Sequence, residues 1–237
     1  MRPELSIVSP VYNEGNNIEK LIIEIENKIS VSKELLFIYD LENDNTLPPL
    51  RKIAKKNPSI KIVKNKYGRG VLNAIKTGFE NVDSDAVLVT MADLSDDLSC
   101  VKKMIAEING GADLVCGSRY MKGGSQKGGP FLKSLMSRIA GLSLHLLIRI
   151  PTHDPTNNFK MYSAKLLDSI TIESTGGFEI GIELTVKAYV NGLKIVEFPT
   201  AWRDRTSGES NFKLIQWLPK YIKWYLWAIK KYYFTKK

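Results

Sequence analysis

The chain has 237 residues, 43% of them hydrophobic, and carries a formal net charge of +9. This length accommodates one large α/β domain with a substantial core, or two small domains. No run reaches the roughly 18 apolar residues without a charge that a membrane-spanning helix needs. The N-terminal residues also lack the pattern of a secretion signal, so we expect an intracellular protein.

The positive charge is concentrated near the C-terminal end of the chain. Residues 211–237 contain seven lysines and no acidic residue. A basic segment of this kind is typical of a contact with anionic lipid or nucleic acid, or of a solvated end. No recognised nucleic-acid-binding motif accompanies it, so we expect no nucleic-acid partner.

Short apolar runs and amphipathic stretches alternate along the first half of the chain. The predicted strands are Leu5–Val8, Leu35–Ile38, Ile60–Val63, Ala86–Thr90 and Leu114–Gly117. The predicted helices are Glu14–Ile29, Leu47–Lys56, Arg69–Glu80 and Leu98–Ile108. This alternation predicts an α/β fold with a mostly parallel sheet that helices cover on both faces.

The pattern changes after the fifth predicted strand. Tyr120–Pro130 contains four glycines and two lysines, which predicts a flexible basic loop. The elements predicted beyond it are a helix from Phe131 to about Ile150, a loop over Thr152–Asn158, a short strand, helices at Ala164–Ser169 and Glu179–Val190, a strand at Leu193–Pro199, a polar loop over Arg203–Asn211, and a last helix from Phe212 to about Phe234. We therefore predict a domain over residues 1–211 and an amphipathic helix over 212–237.

Polar side chains follow the first two predicted strands at their carboxyl ends. The first strand leads through Pro10 into Glu14, and Asp40 and Asp44 follow the second. Ligands of open α/β sheets bind at this edge. An aspartate there can accept hydrogen bonds from a nucleobase or a ribose, although the surroundings of Asp44 suit a local turn equally well.

Three aspartates, Asp93, Asp96 and Asp97, follow the fourth predicted strand. Carboxylate oxygens suit Mg²⁺ or Mn²⁺, which bind few protein oxygens and complete their shell with substrate phosphates. Such a metal would neutralise a diphosphate leaving group. The alternative is that Asp96 or Asp97 only caps the next helix. We prefer the cap for Asp97 and metal binding for Asp93.

Six short motifs occur in an order and spacing that resemble glycosyltransferase family 2, and within it the dolichol- or polyprenyl-phosphate mannose synthase branch. The motifs are Ser9–Glu14, Asp40–Thr46, Lys66–Gly70, Met91–Ser95, Gly117–Tyr120 and Arg205–Ser210. The resemblance implies a GT-A (Rossmann-like) fold and transfer of a sugar, of mannose or glucose type, from a nucleoside diphosphate with inversion. Tyr39 and Met91 depart from the branch, which usually has an aspartate at each position.

The resemblance also implies roles for individual residues. The implied nucleotide-sugar-binding residues are Pro10, Tyr12, Glu14, Asp40, Arg69, Asp93 and Arg205. The implied metal ligands are Asp93 and Ser95, with Mg²⁺ or Mn²⁺ as the cofactor. The implied residues for the phosphate of a polyprenyl or dolichyl acceptor are Arg119, Lys133, Ser137 and Arg138.

The spacing of the implied acceptor residues has a physical basis. Lys133 and Ser137 are one helical turn apart and share a face, and Arg119 has no acidic neighbour in the sequence. The alternative is a solvated basic helix surface. A phosphate acceptor is already anionic and needs no strong general base, whereas a hydroxyl acceptor would need one, for which Asp154 is the best candidate. In the milder role Asp154 orients the acceptor or Arg119.

The last predicted helix combines aromatic and basic residues. Its apolar stripe consists of Leu214, Trp217, Leu218, Tyr221, Trp224, Tyr225 and Ala228. This composition is typical of a helix lying in a membrane interface, although packing on its own domain or on a partner would explain it too.

The sequence therefore favours a metal-dependent hexosyltransferase with Asp93, Arg119 and Asp154 as catalytic residues. We expect it at the cytoplasmic face of a membrane as a peripheral protein, with a membrane-protein partner or a second copy as possible partners. The alternatives are transfer to a saccharide hydroxyl in surface glycan assembly, and a membrane-bound scaffold of the same fold that has lost activity.

Overall fold

A computed structural model describes residues 2–204 and 214–235 of the chain. The strands are β1 (Leu5–Val11), β2 (Lys33–Tyr39), β3 (Ile60–Lys64), β4 (Ala86–Val89), β5 (Leu114–Ser118), β6 (Ser125–Lys127), β7 (Lys160–Ser163), β8 (Ile195–Pro199) and β9 (Ala201–Arg203). The helices are α1 (Ile18–Lys28), α2 (Leu47–Ala54), α3 (Val71–Phe79), α4 (Val101–Asn109), α5 (Phe131–Ile148), α6 (Ala164–Ser169), α7 (Ile180–Val190) and α8 (Leu214–Thr235). A short 3₁₀ turn over Leu98–Cys100 precedes α4.

Seven strands form one twisted sheet in the order β3-β2-β1-β4-β7-β5-β8. Only β7 runs antiparallel to its neighbours β4 and β5, so the predicted α/β fold with a mostly parallel sheet is confirmed. After β1 the chain moves outward to β2 and β3 and then returns to β4 on the other side of β1. This reversal of strand order opens a crevice at the carboxyl ends of β1 and β4.

Helices bury both faces of the sheet, as the apolar composition of its central strands requires. On one face, α1, α2 and α4 pack against side chains such as Leu35 and Leu88. On the other face, α3, α6 and α7 pack against side chains such as Leu36 and Val87. The approach is close, because a Cβ atom added at Gly78 of α3 would lie 2.3 Å from Val8 Cγ1.

A third apolar cluster joins α5, α7 and α8, and its central side chains include Leu144, Ile182 and Trp224. From Trp217 onward, the apolar stripe predicted on the last helix faces this cluster and the cavity described below: Trp224 and Ala228 are buried against the domain. Tyr225 Oη donates to Ser143 Oγ at 2.9 Å. Of the two explanations for this stripe, packing on its own domain is the one that these contacts support, since α5 and α7 lie against it.

Other apolar side chains of α5 and α8 remain exposed. They are Phe131, Leu132, Leu135, Ile139, Leu146 and Leu147 on α5, and Ile222, Leu226, Tyr233 and Phe234 on α8. By length and composition alone α5 could cross a membrane, and 17% of it is buried. Lys133 and Arg138 interrupt its apolar sequence, consistent with the expected absence of a charge-free span.

Two local expectations differ from the structure. The predicted flexible loop over Tyr120–Pro130 contains β6, which pairs in parallel with β9. Helices α1 and α3 begin at Ile18 and Val71, later than predicted, because the residues before them form the turns that line the cavity.

Candidate active site

A cavity of about 990 Å³ opens at the carboxyl edge of the sheet and continues between α5 and α8. Ten of the residues that the sequence singled out lie on its wall: Pro10, Tyr12, Glu14, Asp40, Arg69, Asp93, Ser95, Arg119, Lys133 and Ser137. We call the part formed by Glu14, Asp40, Asp93 and Asp96 the carboxylate side. The part formed by Arg119, Lys133 and Ser137 is the cationic side.

The loop after β1 is held in place by the segment after β2. The backbone N–H of Asn13, a residue with φ of +57°, donates to Asp44 Oδ1 at 3.1 Å. The backbone N–H of Glu14 donates to Thr46 Oγ1 at 2.8 Å, and Asp44 also accepts from the N–H of Thr46. Asp44 is buried and is absent from the cavity wall, so it positions the loop that presents Tyr12 and Glu14.

Asp40 joins the end of β2 to the start of α3. Its carboxylate accepts from Asn65 Nδ2 at 2.8 Å and from the backbone N–H of Gly70 at 2.9 Å. Gly70 has φ of +118°, a conformation that residues with a side chain rarely adopt. Asp40 therefore lines the cavity and also fixes the turn that carries Arg69 to the cavity mouth.

A strained turn presents the carboxylates after β4. Leu94 has φ of +62°, an unfavourable conformation for a leucine. The backbone N–H of Ser95 donates to Asp93 Oδ1 at 3.1 Å. The turn thus brings Asp93, Ser95 and Asp96 onto one wall of the cavity.

Asp96 lies beside the position where the family resemblance expects another aspartate. Asp96 Oδ2 accepts from the backbone N–H of Met91 at 3.2 Å and from Thr90 Oγ1 at 3.0 Å. Burial raises the pKa of Asp96 to about 7, and the nearby Asp93 carboxylate is the second cause of this increase. Asp97 instead accepts from the backbone N–H of Ser99 at 2.9 Å, which confirms the predicted helix cap.

The donor atoms on the carboxylate side fit a hard divalent cation. Asp93 and Asp96 offer carboxylate oxygens and Ser95 a hydroxyl, which together suit Mg²⁺ or Mn²⁺ when substrate phosphates supply further ligands. Within residues 2–204 and 214–235, no group of three or more histidine, cysteine or acidic side chains is arranged to hold a metal without such help.

The cationic side is built around a buried ion pair between Arg119 and Asp154, which corresponds to the milder role expected for Asp154. Arg119 Nε and Nη2 donate to the two carboxylate oxygens of Asp154 at 2.7 and 2.9 Å. Arg119 Nη2 also donates to Ser137 Oγ at 3.1 Å. Although burial alone would lower the pKa of Arg119, the Asp154 carboxylate reverses this effect and raises it. The arginine is thus permanently charged and aimed at Ser137.

Two of the predicted site residues that the structure describes are absent from the cavity wall. Asp154 is fully buried and is absent from the cavity wall. Its carboxylate accepts hydrogen bonds from Arg119 and from Thr156 of its own turn. Arg138 is exposed and also absent from the wall, because it follows Ser137 on the other side of α5. Arg205 lies outside the described residues.

The sequence did not indicate the residues that hold the turn around Asp154 in place. Glu197 on β8 accepts from Thr152 Oγ1 at 2.9 Å and from His153 Nδ1 at 2.7 Å. Thr152 Oγ1 in turn accepts from the backbone N–H of Asp154 at 3.1 Å. The ring of His153 stacks on that of His145 of α5 with 4.0 Å between centroids. The turn that carries Asp154 is therefore fixed to both β8 and α5.

The far end of the cavity is apolar. It lies between α5, α7 and α8, where its wall includes Met136, Ile139, Ala140, Ile182, Leu218 and Ile222. The rings of Phe178 and Trp217 contact each other there in a tilted arrangement, with 5.1 Å between their centroids. The cavity thus combines a polar wall at the sheet edge with an apolar wall between helices.

Comparison with known proteins gives the family. The model of the family described as Glycosyl transferase family 2 matches residues 6–171 of the chain. The chain belongs to this family. The matched segment contains every described residue of the carboxylate and cationic sides, so the family match and the cavity coincide.

Two named relatives are similar over most of the chain. Dolichol-phosphate mannosyltransferase of Pyrococcus furiosus is 29% identical over 215 residues, which are 89% of this chain and 59% of that protein. Polyprenol monophosphomannose synthase of Mycolicibacterium smegmatis is 26% identical over 227 residues, which are 89% of this chain and 85% of that protein. The chain therefore spans little more than half the length of the Pyrococcus relative.

Solved structures support the fold. Glucosyl-3-phosphoglycerate synthase from Mycobacterium tuberculosis, in complex with Mn²⁺, UDP and glucosyl-3-phosphoglycerate, has a TM-score of 0.69 and 17% identity. The similarity covers 96% of this chain and 80% of that chain. At this identity the likeness shows a common GT-A architecture for a glycosyltransferase family 2 chain, as predicted.

Proposed function

We propose that the chain transfers a hexose, with inversion, from a nucleoside diphosphate sugar to a polyprenyl phosphate at a membrane surface. The observation that carries the proposal is the continuity of one cavity. It joins a carboxylate side suited to a metal-bound diphosphate, a cationic side suited to a phosphate, and an apolar end suited to a prenyl chain. The names of the Pyrococcus and Mycolicibacterium relatives agree with this combination.

The carboxylate side would hold the donor. Tyr12, Glu14 and Asp40 lie where parallel strands end, which suits the nucleoside, and Arg69 at the mouth can pair with phosphate oxygens. Asp93, with Ser95 and Asp96 beside it, would hold Mg²⁺ or Mn²⁺. When bound, the metal supplies charge neutralisation for the departing diphosphate.

The cationic side would hold the acceptor. Arg119, fixed by Asp154, keeps donor capacity for a phosphate oxygen, and Lys133 and Ser137 lie one helical turn apart on α5. An acceptor phosphate oxygen would attack the anomeric carbon of the sugar as the bond from that carbon to the diphosphate breaks. The attacking oxygen carries no proton that must be removed, so the reaction needs no general base.

The position of Asp154 argues against a hydroxyl acceptor. Transfer to a saccharide hydroxyl would need a base within hydrogen-bonding distance of the acceptor. Asp154 has no exposed surface, and both of its carboxylate oxygens accept from Arg119. We therefore assign it the milder of the two expected roles, which is to orient Arg119.

The exposed apolar side chains of α5 and α8 would bring the protein to the lipid. They flank the apolar end of the cavity, and exposed basic residues of the same helices, Arg138, Lys223, Lys230 and Lys231, could meet anionic headgroups. A peripheral position at the membrane surface would let the phosphate reach Arg119 while the prenyl chain stays in an apolar environment.

Transfer of a labelled sugar tests the proposal. The protein would be incubated with Mn²⁺ or Mg²⁺, labelled GDP-mannose or UDP-glucose, and a polyprenyl phosphate, and label would be measured in the organic phase. We expect label with one donor, and its loss in both Asp93→Asn and Arg119→Ala. Label that appears only on an added soluble saccharide would contradict the acceptor. Absence of nucleotide binding would favour the scaffold alternative.

A further inference from the structure

The short strand β9 lies between the two polar sides of the cavity. Trp202 is paired with Gln126 of β6 on one side and forms an antiparallel bridge with Asp96 on the other. The backbone N–H of Arg203 donates to the carbonyl of Ser95 at 3.0 Å. The position of Trp202 is thus set by the carboxylate-bearing turn and by the glycine-rich loop at once.

The indole of Trp202 forms part of the cavity wall. Its Cζ3 and Cη2 atoms lie 3.3 and 3.4 Å from the place that a Cβ atom would occupy at Gly129. Gly129, with φ of +80°, therefore leaves the space that the six-membered ring needs. Its backbone N–H donates to Asp204 Oδ2 at 3.1 Å, which closes the glycine-rich loop against β9.

The wall next to the indole is held by side-chain hydrogen bonds. Tyr120 Oη donates to Gln126 Oε1 at 3.0 Å, and Gln126 Nε2 donates to Ser134 Oγ at 2.6 Å. These bonds join the glycine-rich loop to α5, which carries the cationic side. An aromatic group mounted on such a support loses little freedom when a ligand packs against it.

The transferred sugar has to lie between the diphosphate and the acceptor phosphate. If the proposed function holds, these groups lie near Asp93 and near Arg119. Trp202 lies on the same wall, joined to Asp96 by its backbone and to α5 through Gln126. The other aromatic residues of the described wall are placed differently: Tyr12 follows β1, Phe159 precedes β7, Phe178 precedes α7, and Trp217, Tyr221 and Tyr225 are on α8. A hexopyranose ring presents a face of C–H groups, which suits the broad apolar surface of an indole.

We propose that Trp202 forms the hexose subsite, where its indole packs against the apolar face of the sugar carried by the donor. This inference rests on the proposed function and adds a specificity-determining contact to it. In this arrangement Trp202 contacts the sugar, and the carboxylate side binds the nucleoside diphosphate. Loss of the indole should therefore weaken binding of a nucleotide sugar much more than binding of the nucleotide alone.

Calorimetric titration separates these two contributions. The wild-type protein, Trp202→Ala and Trp202→Phe would each be titrated in Mn²⁺ with GDP-mannose, GDP, UDP-glucose and UDP. For the donor that the wild type binds, we expect Trp202→Ala to lower the affinity for the nucleotide sugar about 5- to 20-fold. The affinity for the matching diphosphate should fall less than about twofold. Trp202→Phe keeps an aromatic face and should retain most of the affinity.

Tryptophan fluorescence supplies a second readout and a matched control. The chain has four tryptophans, and Trp227 of α8 is absent from the cavity wall. We expect quenching by the nucleotide sugar to be lost in Trp202→Phe and kept in Trp227→Phe. Thermal unfolding of each variant would show that the fold is intact.

The outcomes distinguish the inference from the proposed function. Equal weakening of nucleotide sugar and diphosphate in Trp202→Ala would mean that the indole only supports the turn at Asp96, and would overturn the inference alone. Unchanged affinity of Trp202→Ala for both ligands would also overturn the inference. If the wild type binds none of the four nucleotides, the proposed function fails and the hexose subsite fails with it.

Discussion

The carboxylate side and the cationic side of the cavity are assembled in different ways. On the carboxylate side, each segment follows a parallel strand or precedes a helix, and strand order brings the segments together. On the cationic side, Arg119, Ser137 and Asp154 come from a strand end, a helix and a loop, and buried side-chain contacts hold them to one another.

The difference predicts how each side responds to substitution. Where backbone topology positions a side chain, its removal should lower activity without a large loss of stability. Where a buried ion pair does the positioning, removal of one partner leaves an uncompensated charge in the interior. Four measurements test this contrast, beginning with the largest expected effect.

Asp154→Ala should affect both stability and activity. It leaves the buried Arg119 guanidinium without its carboxylate, so we expect the free energy of unfolding to fall by roughly 3–5 kcal/mol. Urea denaturation would measure the loss, and sugar transfer should fall with it. The double variant Arg119→Met, Asp154→Leu removes both charges and should unfold at a higher urea concentration than Asp154→Ala. A double variant less stable than the single one would refute the ion-pair explanation.

Asp93→Asn should affect activity alone. Asparagine can still accept from the backbone N–H of Ser95, so the turn should keep its shape, but the charge for a metal-bound diphosphate is lost. We expect transfer to fall on the order of 100-fold or more, with urea denaturation changed by less than about 0.5 kcal/mol. A large loss of stability would erase the contrast between the two sides.

Lys133→Ala and Arg138→Ala compare two basic residues of α5. Lys133 lies on the cavity wall and Arg138 is exposed away from it. With a short, soluble polyprenyl phosphate, Lys133→Ala should raise the KM for the acceptor about tenfold, the effect of losing one charge-assisted contact. Arg138→Ala should change it less than about twofold. Equal effects would mean that both residues act through surface charge alone.

Asp96→Asn should stabilise the metal-free protein at high pH. The pKa of Asp96 in the folded protein is raised to about 7 from 3.8, so folding is penalised increasingly as pH rises from about 4 to about 7. At pH 8 with a chelator, the variant should be more stable than the wild type by roughly 1–3 kcal/mol. The gain should vanish near pH 4. A gain independent of pH would point to packing and exclude the charge as its cause.

The sequence predicted the alternating elements well because apolar runs and helical periods are local patterns. The sheet, its helices and the strand-end residues Asp40 and Asp93 lie where those patterns placed them. The errors lie where pairing is not local. Strand β6 forms only because β9, more than 70 residues later, pairs with it. The stripe of α8 left a membrane and packing on the domain both open, because its partners on α5 and α7 are distant in sequence.

The sequence by itself determined the family, the fold class and the carboxylate side. Short motifs at strand ends predict this side because parallel strands end at a common edge of the sheet. Only the tertiary structure decided which charged side chains form ion pairs and which are exposed to solvent. It placed Asp154 against Arg119, 35 residues away, turned Arg138 out of the cavity, and set Asp96 beside Met91. Electrostatic and packing interactions depend on distances through space, which the spacing of residues along the chain does not specify.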